Sequence, residues 1–411
     1  MSRAIKQVTR EVKAKSPLVR LQAIRVLLAL FDADHHKVHE LTKRLLGPAA
    51  RQVGYYYRAM SKSYQARYGE ALADLDRFLA ASPDHLDGLY LRGEIVAAQG
   101  DKDAAWTLFA GIAARSPRAK TWSYLSNLVE TPEDFERLLA LYESPSTKKP
   151  PRHAEATVKG HLATAALIAG NAQAARGILK AALLEHGPAA SPPSRGRGFS
   201  AADAARALSD LKTVFDRAGV PFFLVSGTLL GCIRENRILG HDKDLDVGIW
   251  SDISMTEVSR ALRASGFFRL HTQRWPTIQR IAHMNGVAID VFQHHTEDGW
   301  CWHGSVKMWW RNTPFKLVPR RFLGGDYLIP QNYELYLTEN YGEDWRTPKI
   351  DFDCVYDTPN GSIARDELVA HALQKLLQPA TRAHGRQHIR ALTQNEEGDF
   401  VRSYTRIVDV A

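Results

Sequence analysis

The chain has 411 residues, 45% hydrophobic and 24% charged, with 28 Gly and 19 Pro. These are globular proportions, and they exclude a fibrous or extensively disordered protein. Three cysteines (Cys232, Cys301, Cys354) are too few and too scattered for a disulfide framework or a CxxC zinc site. No apolar run approaches the ~20 residues of a membrane span, and MSRAIKQVTREVKAKSP lacks the apolar segment of a secretory signal. A cytoplasmic protein is expected.

The net charge of +9 is unevenly placed. Residues 1–199 hold 29 Lys+Arg against 19 Asp+Glu, whereas residues 200–411 hold 25 against 26. A basic half suits an anionic polymer, a protein partner or an anionic membrane surface. The absence of a long Lys/Arg run or an RNA-binding signature argues against nucleic acid.

Helices are expected throughout residues 1–187. The first, at 17–32, has an apolar stripe of Val19, Leu21, Ile24, Leu27, Leu28 and Phe31, with Arg20 and Arg25 facing it. A capping helix is the favoured reading, a membrane-surface helix the other. GEALADLDRFLAASP and DAAWTLFAGIAARSP align at an offset of 34, pairing Ala71 with Ala105, Ser82 with Ser116 and Pro83 with Pro117. A third copy starts at Gly170-Asn171, and Phe135, Leu138 and Leu139 belong to a degenerate one. This period resembles the tetratricopeptide repeat, over roughly residues 50–187.

Residues 188–199, rich in Pro, Gly, Ser and Arg, are expected to be a linker. A helix from 201 to 218 follows. Short Val/Ile/Phe-rich runs (PFFLVSG, LDVGIW, VAIDVF, YLIP) then alternate with turns, giving an α+β domain over 200–360. The remainder, 361–411, is expected to be a helical extension. The fold class is therefore multidomain: an all-α repeat solenoid, then an α+β domain.

The chemistry concentrates between 224 and 292. Ser226, Gly227 and Thr228 form a strand-to-helix turn whose free N–H groups and hydroxyls suit phosphate. Asp244 and Asp246 alternate with Leu245 and Val247, so on a strand both carboxylates share one face. Side by side they repel, and a divalent cation with a preference for oxygen ligands, Mg²⁺ or Mn²⁺, relieves the conflict. Asp242, Asp244 and Asp246 also have calcium-loop spacing, but Val247 and Ile253 occupy the positions of its required Gly and Glu. Asp290 sits inside the apolar run VAIDVF, where a lone carboxylate needs either that metal or an Arg partner. His294, His295, Cys301 and His303 do not have a zinc-ligand spacing.

A Ser-Gly-Thr turn, an Asp-x-Asp and a later Asp on a strand form the arrangement of the nucleotidyltransferase fold. GTLLGCIRENRILGHDKDLDVGI is similar to the family typified by the LicD phosphocholine transferases, fukutin and the fukutin-related protein. That family has a G-T-L-L-G run, a following Arg, a D-x-D-hydrophobic-D run and a later hydrophobic-D-hydrophobic strand. Here these are the run at 227–231, Arg234, Asp242 with Asp244 and Asp246, and Asp290. Ile329-Pro330, Tyr336-Leu337, Tyr341-Gly342, Trp345 and Pro348 match its later stretch in order, so the likeness spans about 205–350. His241, Gly240 and Lys243 depart from the pattern.

The resemblance implies transfer of a phosphorylated alcohol, such as ribitol phosphate, glycerol phosphate or phosphocholine. The donor is CDP-linked, the acceptor is a sugar hydroxyl of a cell-surface glycan or polysaccharide, and CMP is released. Asp244, Asp246 and Asp290 would hold Mg²⁺ or Mn²⁺, with Asp290 the alternative candidate for taking the acceptor's proton. Ser226, Gly227, Thr228, Arg234, Arg237, Asp242 and Lys243 would bind the donor. Lys307, Trp309, Trp310, Arg311 and Arg320 mix cations with aromatics, as an acceptor site would. The basic half would then hold an anionic glycan or a protein partner at the inner membrane face. The alternatives are a metal-dependent glycosyltransferase, a nucleotidyltransferase that transfers NMP, and a catalytically inactive repeat-protein adaptor.

Overall fold

The computed structural model describes residues 17–48, 52–186, 200–240, 242–271, 275–305, 308–349, 352–377, 382–395 and 397–410, the side chains of 382–384 and 406–410 excepted. The expected linker, His241 and Lys307 lie outside the described residues. Among the described residues ten α-helices come first: α1 Pro17–Phe31, α2 His35–Thr42, α3 Val53–Tyr64, α4 Tyr68–Ala81, α5 Leu86–Ala98, α6 Lys102–Arg115, α7 Ala119–Asn127, α8 Pro132–Glu143, α9 Arg152–Ile168 and α10 Ala172–His186. The N-terminal half is thus helical. Its helices α3, α5, α7 and α9 begin 33 residues apart.

Next come α11 Ala201–Ala218, β1 Phe223–Leu224, α12 Ser226–Arg234, β2 Asp244–Trp250, α13 Met255–Ala264, β3 Phe268–Leu270, β4 Ile278–His283 and β5 Ala288–Glu297. The chain continues through β6 Trp300–Gly304, β7 Met308–Asn312, β8 Leu317–Phe322, β9 Gly325–Pro330, α14 Tyr333–Tyr341, α15 Cys354–Asp357 and β10 Gly361–Ile363. It closes with α16 Arg365–Leu376, α17 Arg382–Gln394 and α18 Gly398–Val410. The C-terminal half accordingly mixes a sheet with helices. The four apolar runs mark β1, β2, β5 and β9; the other strands carry too many polar residues to stand out by composition.

The residues fall into two compact units. The first joins those up to Leu108 with Phe199–Gln293 and Pro319–Ile329. In it β4 pairs antiparallel with β3 and β5, β2 lies between β5 and β1, and β1 runs parallel to β9. Leu245, Val247 and Ile249 are fully buried on β2. Helix α11 buries Ala204, Ala207, Leu208, Leu211 and Phe215 at helical spacing. Its ends are fixed by Ser200, which accepts from the Asp203 N–H, and by Gly219 in the left-handed region.

The N-terminal helices of this unit are tied to its strand-bearing part by polar contacts. His35 bridges Ser61 Oγ and the Gly266 carbonyl, both at 2.8 Å, and Arg206 reaches Asp32 at 2.9 Å. Helix α1 corrects the apolar stripe read from the sequence. It buries Ala23, Val26, Ala29 and Leu30, while Leu18, Leu21 and Leu28 are 78%, 58% and 38% exposed. Apolar residues nearly encircle this helix, so its composition does not reveal which side packs.

The second unit comprises Phe109–Gly198, His294–Val318 and the residues from Pro330 onward. Here α10 packs on α16, with Arg176 on Asp366 at 2.8 Å, and the end of β5 continues antiparallel through β6, β7 and β10. No described helix is long and apolar enough to cross a membrane.

Candidate active site

Helix α12 and strand β2 build the site by a reciprocal grip. The Gly227 N–H, in the first turn of α12, donates to Asp246 Oδ2 at 3.1 Å, and the Asp246 N–H donates to Thr228 Oγ1 at 2.7 Å. Thr228 is buried, so its hydroxyl locks β2 to the helix. Ser226 has φ +47, a left-handed value that a non-glycine residue adopts only at an energetic cost. Gly227 leaves room for the acids: a Cβ there would stand 3.3 Å from Asp246 Oδ2 and 3.4 Å from Asp242 Oδ2. Gly231 is needed for a closer approach, since a Cβ would come within 2.6 Å of the Arg237 carbonyl oxygen.

The sequence expectation that Asp244 and Asp246 share a face holds on β2, where both alternate with buried apolar residues. Asp290, on β5, is 8% exposed. Asp246 is half-buried, and desolvation together with the charges of Asp244, Asp290 and Asp242 pushes its carboxyl well above the usual range, against the pull of the Gly227 N–H. Burial and then Asp244 push Asp242 up to about 7, with Arg234 opposing. Burial also raises Asp290, offset by Arg280.

Arg280 is the residue that sequence reasoning missed. On β4 it lies directly opposite Asp290 in the antiparallel register. Its Nε–H donates to Asp290 Oδ1 at 3.0 Å, and Nη2 stands 3.9 Å from Asp244 Oδ2. The Arg partner that a buried Asp290 calls for is therefore present. The signal was an Arg flanked by apolar positions in IQRIAH, but only the strand register identifies its partner.

Glu235 is the second addition. It accepts from Arg234 Nη2 at 3.0 Å and from Arg237 Nε at 2.9 Å, so it spaces both expected phosphate-binding arginines. Arg234 is largely buried, and Arg237 and Lys243 are exposed. The expected acceptor residues are divided between the two units. Arg320, in the first unit, opposes the rise that burial causes in the Cys232 thiol. Trp309, Trp310 and Arg311 belong to β7 in the second unit, where Trp309 is exposed and Trp310 stacks on His303. His294 stacks on His303 at 4.3 Å and His295 on Trp302 at 4.3 Å, which places the two consecutive histidines on opposite faces.

Asp242, Asp244, Asp246 and Asp290 offer carboxylate oxygens only, and the raised carboxyls of Asp242, Asp246 and Asp290 are those of a donor set that fits a divalent cation such as Mg²⁺ or Mn²⁺. No three of these carboxylates place an oxygen each within 4.8 Å of one another. Among the described residues only Glu155, Glu185 and His186 bring three such ligating atoms within 4.8 Å of one another.

Residues 219–332 match the family model described as LicD/FKTN/FKRP, nucleotidyltransferase domain. Over 156 residues the chain is 26% identical to ribitol-5-phosphate transferase FKTN of Homo sapiens, covering 35% of this chain and 33% of that protein. Against the Mus musculus FKTN it is 27% identical over 168 residues, 38% and 34% of the two chains. Against the human ribitol 5-phosphate transferase FKRP it is 29% identical over 154 residues, 31% and 29%. The chain spans about a third of the length of the relatives it matches. Residues 219–332, which hold Gly227, the acidic run at 242–246, Arg280 and Asp290, are thus similar to the LicD/FKTN/FKRP nucleotidyltransferase domain.

Proposed function

We propose that the protein is a metal-dependent phosphotransferase that moves a phosphorylated alcohol from a CDP-linked donor to a sugar hydroxyl, releasing CMP. The observation that carries this is the meeting of Asp242, Asp244, Asp246 and Asp290 beside Gly227 within the matched domain. The acceptor oxygen attacks the phosphorus bearing the alcohol, the bond from that phosphorus to the CMP oxygen breaks, and the hydroxyl proton passes to Asp290 or to solvent water. Asp244, Asp246 and Asp290 would hold Mg²⁺ or Mn²⁺. Such a cation, when bound, neutralises the diphosphate and the departing CMP. The positive end of the α12 dipole would favour the donor phosphates, with the Gly227 N–H already given to Asp246. Arg234, set by Glu235, places a positive charge beside Asp242.

We assign catalysis to the region 200–360 and a holding role to the basic, tetratricopeptide-like helical half. The 33-residue spacing of its alternate helices and its charge excess support that role at an anionic glycan or membrane face. The test is product analysis with a panel of CDP-alcohols, with Mg²⁺ or Mn²⁺ against EDTA, for wild type and Asp246→Ala. Metal-dependent CMP release that is lost in the variant supports the reading. Pyrophosphate release from a nucleoside triphosphate in its place would reassign the site to NMP transfer. No turnover of any donor would favour the adaptor.

A further inference from the structure

Three features place Arg280 in the working site rather than in a passive pair. Its position opposite Asp290 is fixed by the β4–β5 register, so the contact is built into the sheet. Its side chain is 55% exposed while that of Asp290 is 11% exposed, so the guanidinium lies on the solvent side of the acid. Only Nε makes a hydrogen bond among the described residues; the outer edge of the planar fork is uncommitted, and Nη2 stays 3.9 Å from Asp244 Oδ2. A fork of this kind takes two phosphate oxygens at once, which a lysine cannot do.

We propose that Arg280 is an exchangeable counter-cation of the carboxylate site: it neutralises Asp290 and Asp244 in the empty protein and turns its outer edge to the donor diphosphate once a divalent cation binds. This inference rests on the function proposed above. Charge supports it, because four aspartates outweigh a single divalent cation and an arriving diphosphate adds more negative charge. Another positive group in contact with the acids is then needed in the loaded site. In the empty site that same group competes with the metal.

The competition gives two effects of opposite sign, which a strut holding β4 to β5 would not produce. The probes are Mn²⁺ alone, and CDP or CMP in the presence of Mn²⁺, each followed by isothermal titration. In Arg280→Gln, Mn²⁺ alone should bind about three- to tenfold tighter. CDP should bind about tenfold weaker, and CMP, which lacks the second phosphate, much less so. Arg280→Lys keeps the charge and loses the fork; it should leave Mn²⁺ affinity near wild type and still weaken CDP. Unchanged or weaker Mn²⁺ binding in a folded Arg280→Gln overturns the inference, as does equal weakening of CDP and CMP. If the wild type itself binds neither Mn²⁺ nor CDP, the proposed function fails first.

Discussion

Two regions of this molecule bury carboxylates, and they do it in opposite ways. In the second unit, burial would raise Asp353, but His371 at 3.4 Å, the Val355 N–H at 3.0 Å and Lys375 at 3.8 Å hold its carboxyl well below the ordinary range. In the first unit, Asp246 has a single backbone donor and three acidic neighbours, and its carboxyl is driven up. Asp353 has a structural anion's surroundings, already satisfied by the fold. The Asp246 cluster keeps a mutual repulsion that Arg280 and Arg234 offset in part, and relieving it is the task of the proposed cation.

The largest effect that would break this contrast comes from Asp246→Asn. It should lower metal-dependent CMP release by about 10³-fold or more. Activity within tenfold of wild type would place Asp246 in the same class as Asp353. Next in size, Asp353→Asn should cost about 2–4 kcal/mol in urea unfolding, because it leaves His371 and Lys375 without their anion, and it should leave Mn²⁺ binding intact. A smaller effect is pH dependence with opposite signs. The folded carboxyl of Asp242 titrates near 7, above its ordinary value, so its charge costs stability above that pH and the cost fades toward pH 4. Lowering the pH from 8 to 5.5 without metal should therefore raise the melting temperature by roughly 2–4 °C, and Asp242→Asn should flatten that rise. Asp353 contributes in the other direction: its stabilisation is full above the ordinary carboxylate range and is lost only as the pH falls below it. The smallest is Thr228→Val, which removes the acceptor of the Asp246 N–H and should cost about 1 kcal/mol in the same unfolding assay.

Much of the first unit's site was legible because it is local. The Asp-x-Asp alternation fixes a face by strand period alone, and the glycines at 227 and 231 mark the closest approaches. Arg280 was not legible in the same way. Its partner is ten residues away across a strand pairing whose register depends on the intervening turn, and IQRIAH reads as an ordinary half-buried strand. Arg234 and Arg237 were legible as cations following the glycine-bearing turn, but their tether to Glu235 needs the coordinates. On α1 the sequence suggested the wrong face, since apolar residues surround the helix and the packing partner decides. The strands β6 and β7 were hidden because His303, Trp302 and Trp310 pack as stacked rings instead of as an aliphatic stripe.

The measurement that tests the central claim most directly is Mn²⁺ titration of the full chain, comparing wild type, Asp246→Asn, Asp353→Asn and His186→Gln. The account predicts that Asp246→Asn loses the tightest site while the other two keep it. Binding that survives in Asp246→Asn and disappears in His186→Gln would move the cation to Glu155, Glu185 and His186 and contradict the claim that the aspartate cluster is a cation site.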